Sequence, residues 1–141
     1  MDEWERRRGR VTVLTPHEGE FLRVGGDLSQ GRTAAATEFA HQSGAVVVLK
    51  GPGTVVAGPD GRCRVNTTGN CGMAKGGSGD VLSGVVLALL GLGMDALDAC
   101  CCAVWLHGRA GDLAAQEKGQ WGMTPTDLLE RLPQALREVT E

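Results

Sequence analysis

The sequence predicts an α/β fold, a parallel sheet with a β-hairpin, covered by helices, and three observations carry that expectation. Val11–Leu14 alternates branched apolar residues and Ala45–Leu49 is a continuous apolar run, with an alanine-rich helical segment between them. Strand, helix, strand is the order of a parallel pair joined by a crossover. Thr54–Ala57 and Cys63–Thr67 then flank Gly58-Pro-Asp-Gly61, a turn sequence that makes a hairpin of them. Helical segments follow a glycine-rich loop from Gly69 onward.

Taken in order, residues 1–10 are a polar lead-in. Arg6, Arg7, Arg8 and Arg10 lie beside Asp2, Glu3 and Glu5, the composition of a solvated face. Val11–Leu14 is a short strand that stops at Thr15-Pro16. His17–Val24 has room for one or two helical turns before Gly25-Gly26-Asp27 breaks them. Ser29 is a candidate N-cap for a helix through His41, which Ser43-Gly44 ends. His41 near that helix's C-terminus suits the dipole and needs no other role. Ala45–Leu49 has the unbroken apolar character of a strand buried on both faces. After the hairpin and the loop Gly69–Gly79, an apolar helix is expected over Asp80–Leu92 and a second over Ala96–Glu117. Pro125, at a first-turn position, opens a third, amphipathic helix to Val139. In the second helix Ala96, Cys100, Ala103, Ala110 and Ala114 share one face at helical spacing, which permits close packing. His107 falls in that stripe and reads as a satisfied core or interface histidine. Trp105 and Trp121 read as packing residues.

At 141 residues the chain fits one domain, and 42% hydrophobic with 22% charged residues excludes intrinsic disorder. The longest apolar run, Val81–Met94, is interrupted by Ser83 and three glycines and falls short of the ~18 residues of a membrane span. Val11–Leu14 is too short for the apolar region of a signal peptide. A cytoplasmic protein without a membrane partner is expected. A net charge of −3 excludes a generally basic surface for gripping nucleic acid. The cysteines are Cys63, Cys71, Cys100, Cys101 and Cys102, an odd number with three in succession, which spells no disulfide framework. Consecutive helical residues diverge by about 100°, so the three cannot converge on one metal and read as small buried hydrophobes.

Glycine is the compositional outlier, 22 of 141 residues, with eight between Gly69 and Gly93. Gly76, Gly77, Ser78, Gly79 and Asp80 stand between the hairpin and an apolar helix. Unhindered amides and the positive helix end therefore face one small space, an anion hole suited to phosphate. Neither the Walker A pattern nor the dinucleotide fingerprint fits these residues. Asp80 has two readings: a helix-start residue favoured by the dipole, or a carboxylate that takes a proton from a substrate hydroxyl beside the phosphate. Lys50-Gly51-Pro52-Gly53-Thr54, at the carboxyl end of the buried strand, is a second candidate, because ligands of open α/β sheets gather there. The plainer reading of Lys50 is a surface lysine closing a strand.

Four segments together resemble a known family: Thr15-Pro-His-Glu-Gly-Glu20, Lys50-Gly-Pro-Gly-Thr54, Asn70-Cys-Gly-Met-Ala-Lys-Gly-Gly-Ser-Gly-Asp-Val-Leu-Ser-Gly84 and Leu106-His-Gly-Arg-Ala-Gly-Asp112. In order and spacing they are similar to the ADP-dependent NAD(P)H-hydrate dehydratases of the ribokinase-like superfamily. The likeness runs from Val11 to about Leu136 and corresponds to the C-terminal half of the family domain, about twice as long. It implies a partial ribokinase-like three-layer fold for residues 11–141 and repair of NADHX and NADPHX driven by ADP or ATP with Mg²⁺. By the same likeness His17 and Asp80 touch the hydrate and Asp80 is catalytic. Lys50, Gly51, Pro52, Gly53, Thr54, Asn70, Gly76, Gly77, Ser78 and Gly79 hold the nucleotide. No protein side chain is assigned as a metal ligand. Half a family domain would leave a sheet edge and an apolar helix face to cover, so a homo-oligomer is expected. Two other functions fit the same residues: a ribokinase-like kinase for a small vitamin precursor, and a non-catalytic fragment that binds nucleotide or self-assembles.

Overall fold

The computed structural model describes residues 3–141; Met1 and Asp2, which begin the polar lead-in, lie outside the described residues. The chain divides into two compact units, Met1–Asn66 with Asp95–Cys101, and Thr67–Met94 with Cys102–Glu141.

The first unit holds α1 (Glu3–Arg6), β1 (Val13–Leu14), α2 (Glu18–Arg23), α3 (Arg32–Ser43), β2 (Val46–Leu49), β3 (Val55–Ala57) and β4 (Cys63–Val65). The strands form one sheet in the order β1-β2-β3-β4. β1 pairs parallel to β2, Val13 opposite Val46 and Leu14 opposite Val47. β2 runs antiparallel to β3, Val48 opposite Val56, and β3 antiparallel to β4, Val56 opposite Arg64. The sheet is thus mixed, and parallel only where α3 crosses over. Lys50–Thr54 is too short to carry the chain back for a parallel pairing, so it reverses direction and makes β2 and β3 a second hairpin. All four residues of β2 are buried, as its unbroken apolar run predicts.

The core of this unit is built on Phe21, Ala35, Ala36, Phe39, Ala40, Val47, Leu49, Val55 and Ala57. The lead-in contributes to it: Trp4 of α1 sets its ring edge-on to Phe39, centroids 5.8 Å apart at 82°. Ser29 is not the N-cap of α3. That position belongs to Gly31, which has no side-chain cap, and the helix starts at Arg32. Asp27 accepts the Ser29 amide at 2.9 Å in an Asx-type turn, and the Gly31 amide donates to the Leu28 carbonyl at 3.0 Å, so Ser29 lies inside a turn that precedes the helix. The bond from the Ser29 amide also holds the Asp27 carboxyl below the usual carboxylate range.

The second unit contains a single 3₁₀ turn (Cys71–Met73), α4 (Ser78–Gly91), most of α5 (Ala96–Gly122) and α6 (Pro125–Thr140). α4 begins two residues earlier than the sequence suggests. α5 runs past Glu117 and changes direction at Gly119, whose φ of 75° and ψ of 157° are non-helical. Thr124 and Asp127 cap α6 reciprocally, with Pro125 in its first turn. Leu106, Ala110, Leu113, Leu128 and Ala135 make the core, and Trp105 packs against it. Trp121 does not pack: it is 99% exposed, because the break at Gly119 turns the last residues of α5 away from the line of the helix.

Cys100 is fully buried, and burial pushes its thiol up to about 12. Burial also raises the half-buried Cys101 and Cys102. All three stay protonated at neutral pH and behave as small apolar residues. Among the described residues no helix is long and apolar enough to cross a membrane.

Candidate functional site

In the second unit the loop before α4 exposes backbone donors. Gly77 is the N-cap residue with φ 97°, a left-handed conformation that disfavours side chains, and no side chain caps the helix. A Cβ there would also press to 3.3 Å on Pro125 of α6. Ser78 donates its amide to the Lys75 carbonyl at 3.2 Å, whereas the amides of Gly76, Gly77, Gly79 and Asp80 meet no backbone acceptor among the described residues. Unbonded amides at the positive end of a fourteen-residue helix are a donor set that fits a phosphate. Asp80 is exposed in the first turn, and its carboxylate makes no hydrogen bond or ion pair among the described residues.

Side chains distant in sequence hold this loop. Asp112 of α5 accepts the Gly69 amide at 3.0 Å and the Asn70 side-chain amide at 2.9 Å. Asn70 Oδ1 in turn accepts the Gly72 amide at 2.9 Å and caps the 3₁₀ turn. Lys75 Nζ donates to the carbonyls of Gln120 at 3.3 Å, Trp121 at 3.1 Å and Met123. It thereby satisfies carbonyls at the end of α5, where the helix is electronegative. Ser78 is buried, with His107 Nε2 2.9 Å from its carbonyl and 3.3 Å from its hydroxyl. Since a carbonyl can only accept, Nε2 carries the proton, and His107 is the satisfied buried histidine its position suggests. Ser78 and Asn70 therefore spend their side chains on the protein, and Gly76, Gly77 and Gly79 are the open donors.

The first unit holds the other predicted residues. His17 and Lys50 lie side by side in a parallel bridge at the carboxyl ends of β1 and β2, where Lys50 donates its amide to Pro16 at 2.8 Å. His17 is the N-cap of α2: Nδ1 accepts the Glu20 amide at 3.2 Å, Nε2 lies 3.0 Å from Glu20 Oε1, and Glu20 Oε2 accepts the His17 amide. Its ring is fixed by this local box and half exposed. Gly51, Pro52 and Gly53 are exposed, and Thr54 folds its hydroxyl back onto the Gly51 carbonyl at 3.1 Å. The carbonyls of Leu49, Pro52 and Gly53 all accept from Arg32.

Arg32, Lys75 and Asp112 carry this scaffolding, and sequence reasoning assigned none of them such a role. Each acts on backbone groups 17 to 48 positions away. The one available signal was that Asp112 closes the fourth motif, whose Gly108 and Gly111 allow close approach by Thr68 and Met73. Among the described residues no group of three or more His, Cys, Asp or Glu could hold a metal ion.

Comparison with known proteins follows the same lines. The family model for NAD(P)H-hydrate dehydratase matches residues 2–134. The bifunctional NAD(P)H-hydrate repair enzyme of Thermofilum pendens is 48% identical over 99% of this chain and 27% of its own length. The ADP-dependent (S)-NAD(P)H-hydrate dehydratase of Bacillus subtilis is 42% identical over 92% of this chain and 48% of its own. The crystal structure of the B. subtilis ADP/ATP-dependent NAD(P)H-hydrate dehydratase, co-crystallised with ATP and Mg²⁺, superposes with a TM-score of 0.87 at 40% identity, covering 93% of this chain and 49% of that one. A ribokinase-like superfamily protein from Enterococcus faecalis superposes with a TM-score of 0.77 at 30% identity, over 89% and 44% of the two chains. The chain thus has part of the ribokinase-like fold and spans about a quarter to a half of the length of these relatives.

Proposed function

The chain belongs to the NAD(P)H-hydrate dehydratase family, and from that premise we propose that it acts in the ADP- or ATP-dependent dehydration of NADHX and NADPHX, a repair of nicotinamide nucleotides. The observation that carries the reading is the uncapped start of α4, with unbonded amides at Gly76, Gly77 and Gly79 next to an unengaged Asp80 carboxylate. The nucleotide would give its terminal phosphoryl group to the hydrate oxygen, leaving AMP from ADP or ADP from ATP, and the resulting phosphate ester, a far better leaving group than hydroxide, would depart as inorganic phosphate with loss of a proton from the adjacent ring carbon, which restores the nicotinamide ring. The glycine amides hold phosphate oxygens as their charge redistributes. Asp80 accepts the proton of the hydrate hydroxyl. With no acidic cluster to form a protein cage, Mg²⁺ would be held through the phosphates and its own waters. In the first unit, Lys50 to Thr54 offer a further contact for the nucleotide and His17 one for the hydrate. Asn70 and Ser78 serve the site by shaping the loop. The relatives' names support the dehydratase over a vitamin-precursor kinase.

A calorimetric titration with ADP and Mg²⁺, beside a turnover assay on NADHX, tests this reading. Gly79→Val is the decisive variant. Gly79 lies in the first turn of α4 and is not among the glycines with positive φ, so its backbone is one an L residue adopts, and a valine side chain would stand beside the amides offered to the phosphate. ADP binding should be lost with the far-UV circular dichroism intact. A folded variant with unchanged affinity refutes the phosphate assignment.

Five free cysteines support a reducing, cytoplasmic setting. We further propose a homo-oligomer, because Leu87 and Leu92 at the outer side and end of α4 are 71% and 79% exposed. Light scattering at micromolar concentration should give a mass above 14.7 kDa; a clean monomer overturns this.

A further inference from the structure

We propose that Arg32 is a positioning residue that makes the Lys50–Thr54 loop an anion cradle, presenting the amides of Gly53 and Thr54 to a phosphate; the identity of that phosphate, as part of the nucleotide, rests on the function proposed above. The guanidinium stands at the start of α3. Its Nη1 donates to the carbonyls of Pro52 at 2.6 Å and Gly53 at 3.3 Å, and its Nη2 to that of Leu49 at 3.0 Å. The chain contains no cis peptide, and across a trans peptide the N–H points opposite to the preceding C=O. Carbonyls of Pro52 and Gly53 that face Arg32 therefore turn the amides of Gly53 and Thr54 away from it. Neither of those amides has a backbone acceptor among the described residues.

The rest of the loop follows the same logic. Lys50 donates its amide to Pro16, which anchors the start, and the Gly51 carbonyl is occupied by the Thr54 hydroxyl. With the carbonyls of Gly51, Pro52 and Gly53 occupied, the open backbone groups at the tip of the loop are donors, which select an anion. Gly51 allows the approach, since a Cβ there would lie 2.8 Å from Arg32 Nη2. Glu18 Oε1, 3.1 Å from Nε, supplies the countercharge without completing a hydrogen bond. Arg32 reaches the three carbonyls from two nitrogens, Nη1 and Nη2, held apart in one plane, a spread that the single nitrogen of a lysine at the same position does not reproduce.

The test uses amide-resolved ¹H–¹⁵N spectra of the full chain with ADP and Mg²⁺ as the probe. In the unaltered chain the Gly53 and Thr54 signals should shift on titration. Arg32→Met should keep its far-UV circular dichroism, displace the unliganded Gly53 and Thr54 signals toward random-coil positions, and weaken ADP binding about tenfold or more. Arg32→Lys should recover less than half of that loss. If Arg32→Met unfolds, Arg32→Lys decides: native loop signals and native ADP affinity in that variant overturn the proposal. The same result in a folded Arg32→Met overturns it equally. ADP shifts confined to Gly76–Gly79 in the unaltered chain would refute the cradle while leaving the nucleotide reading standing. The absence of any ADP shift would refute both.

Discussion

Asp80→Asn is expected to lower turnover of NAD(P)H hydrate by about 100-fold or more, the scale of a lost general base. Asparagine keeps the shape and can still hydrogen bond, but it cannot take up a proton at neutral pH. The carboxylate it replaces is exposed in the first turn of α4 and free of any partner among the described residues, so its loss breaks no structural bond. ADP affinity should change much less, since the amides of Gly76, Gly77 and Gly79 are untouched. Parallel measurement of turnover and ADP binding separates these effects. Near-native turnover in the variant would return Asp80 to the simpler role of a negative charge at a helix N-terminus. An unaltered chain that shows no turnover with ADP or ATP and Mg²⁺ would refute dehydratase activity for this chain.

Gly72→Ala should produce a large loss of stability. Gly72 is buried in the 3₁₀ turn, and a Cβ added there would stand 2.5 Å from the Gln120 carbonyl oxygen, 2.8 Å from the Gln120 Cα and 2.8 Å from the Met123 sulfur. Two of these atoms are backbone at the end of α5, so a rotamer change cannot clear them. Overpacking of this kind costs ~3 kcal/mol or more, and for a chain of this size that corresponds to a fall in Tm of roughly 10 °C. The displaced segment also carries the carbonyls that bind Lys75, so ADP affinity should fall with stability. Gly84→Ala provides the contrast: it lies on an exposed face of α4 with nothing within 4 Å of a new Cβ. It should be neutral or stabilise by up to ~1 kcal/mol through helix propensity. Thermal melts of the two variants test the contrast, and a Gly72→Ala protein that melts with the native chain would show that the end of α5 yields freely.

The amino-acid sequence by itself determined the features that depend on neighbours along the chain. The unbroken apolar run of β2 requires burial on both faces. Gly58 to Gly61 turn the hairpin, and Pro125 marks the start of α6. The glycines from Gly76 to Gly79 ahead of an apolar helix are legible in the same way, and the proposed phosphate site rests on them because such a site is made of consecutive backbone amides. Only the tertiary structure decided what long-range contacts control. Ser29 lost the cap of α3 to Gly31 because Ser29 lies inside a turn closed by the Gly31 amide on the Leu28 carbonyl, so the helix starts only after it. Trp121 ended in solvent because a single non-helical residue, Gly119, precedes it. The sheet became mixed because the loop after β2 closes into a tight reversal. Arg32, Lys75 and Asp112 acquired their roles for the same reason: each binds carbonyls or amides brought near by folding. A charged side chain carries no mark in its own sequence neighbourhood of the distant backbone it will meet, whereas helix starts, turns and buried strands are written in adjacent residues.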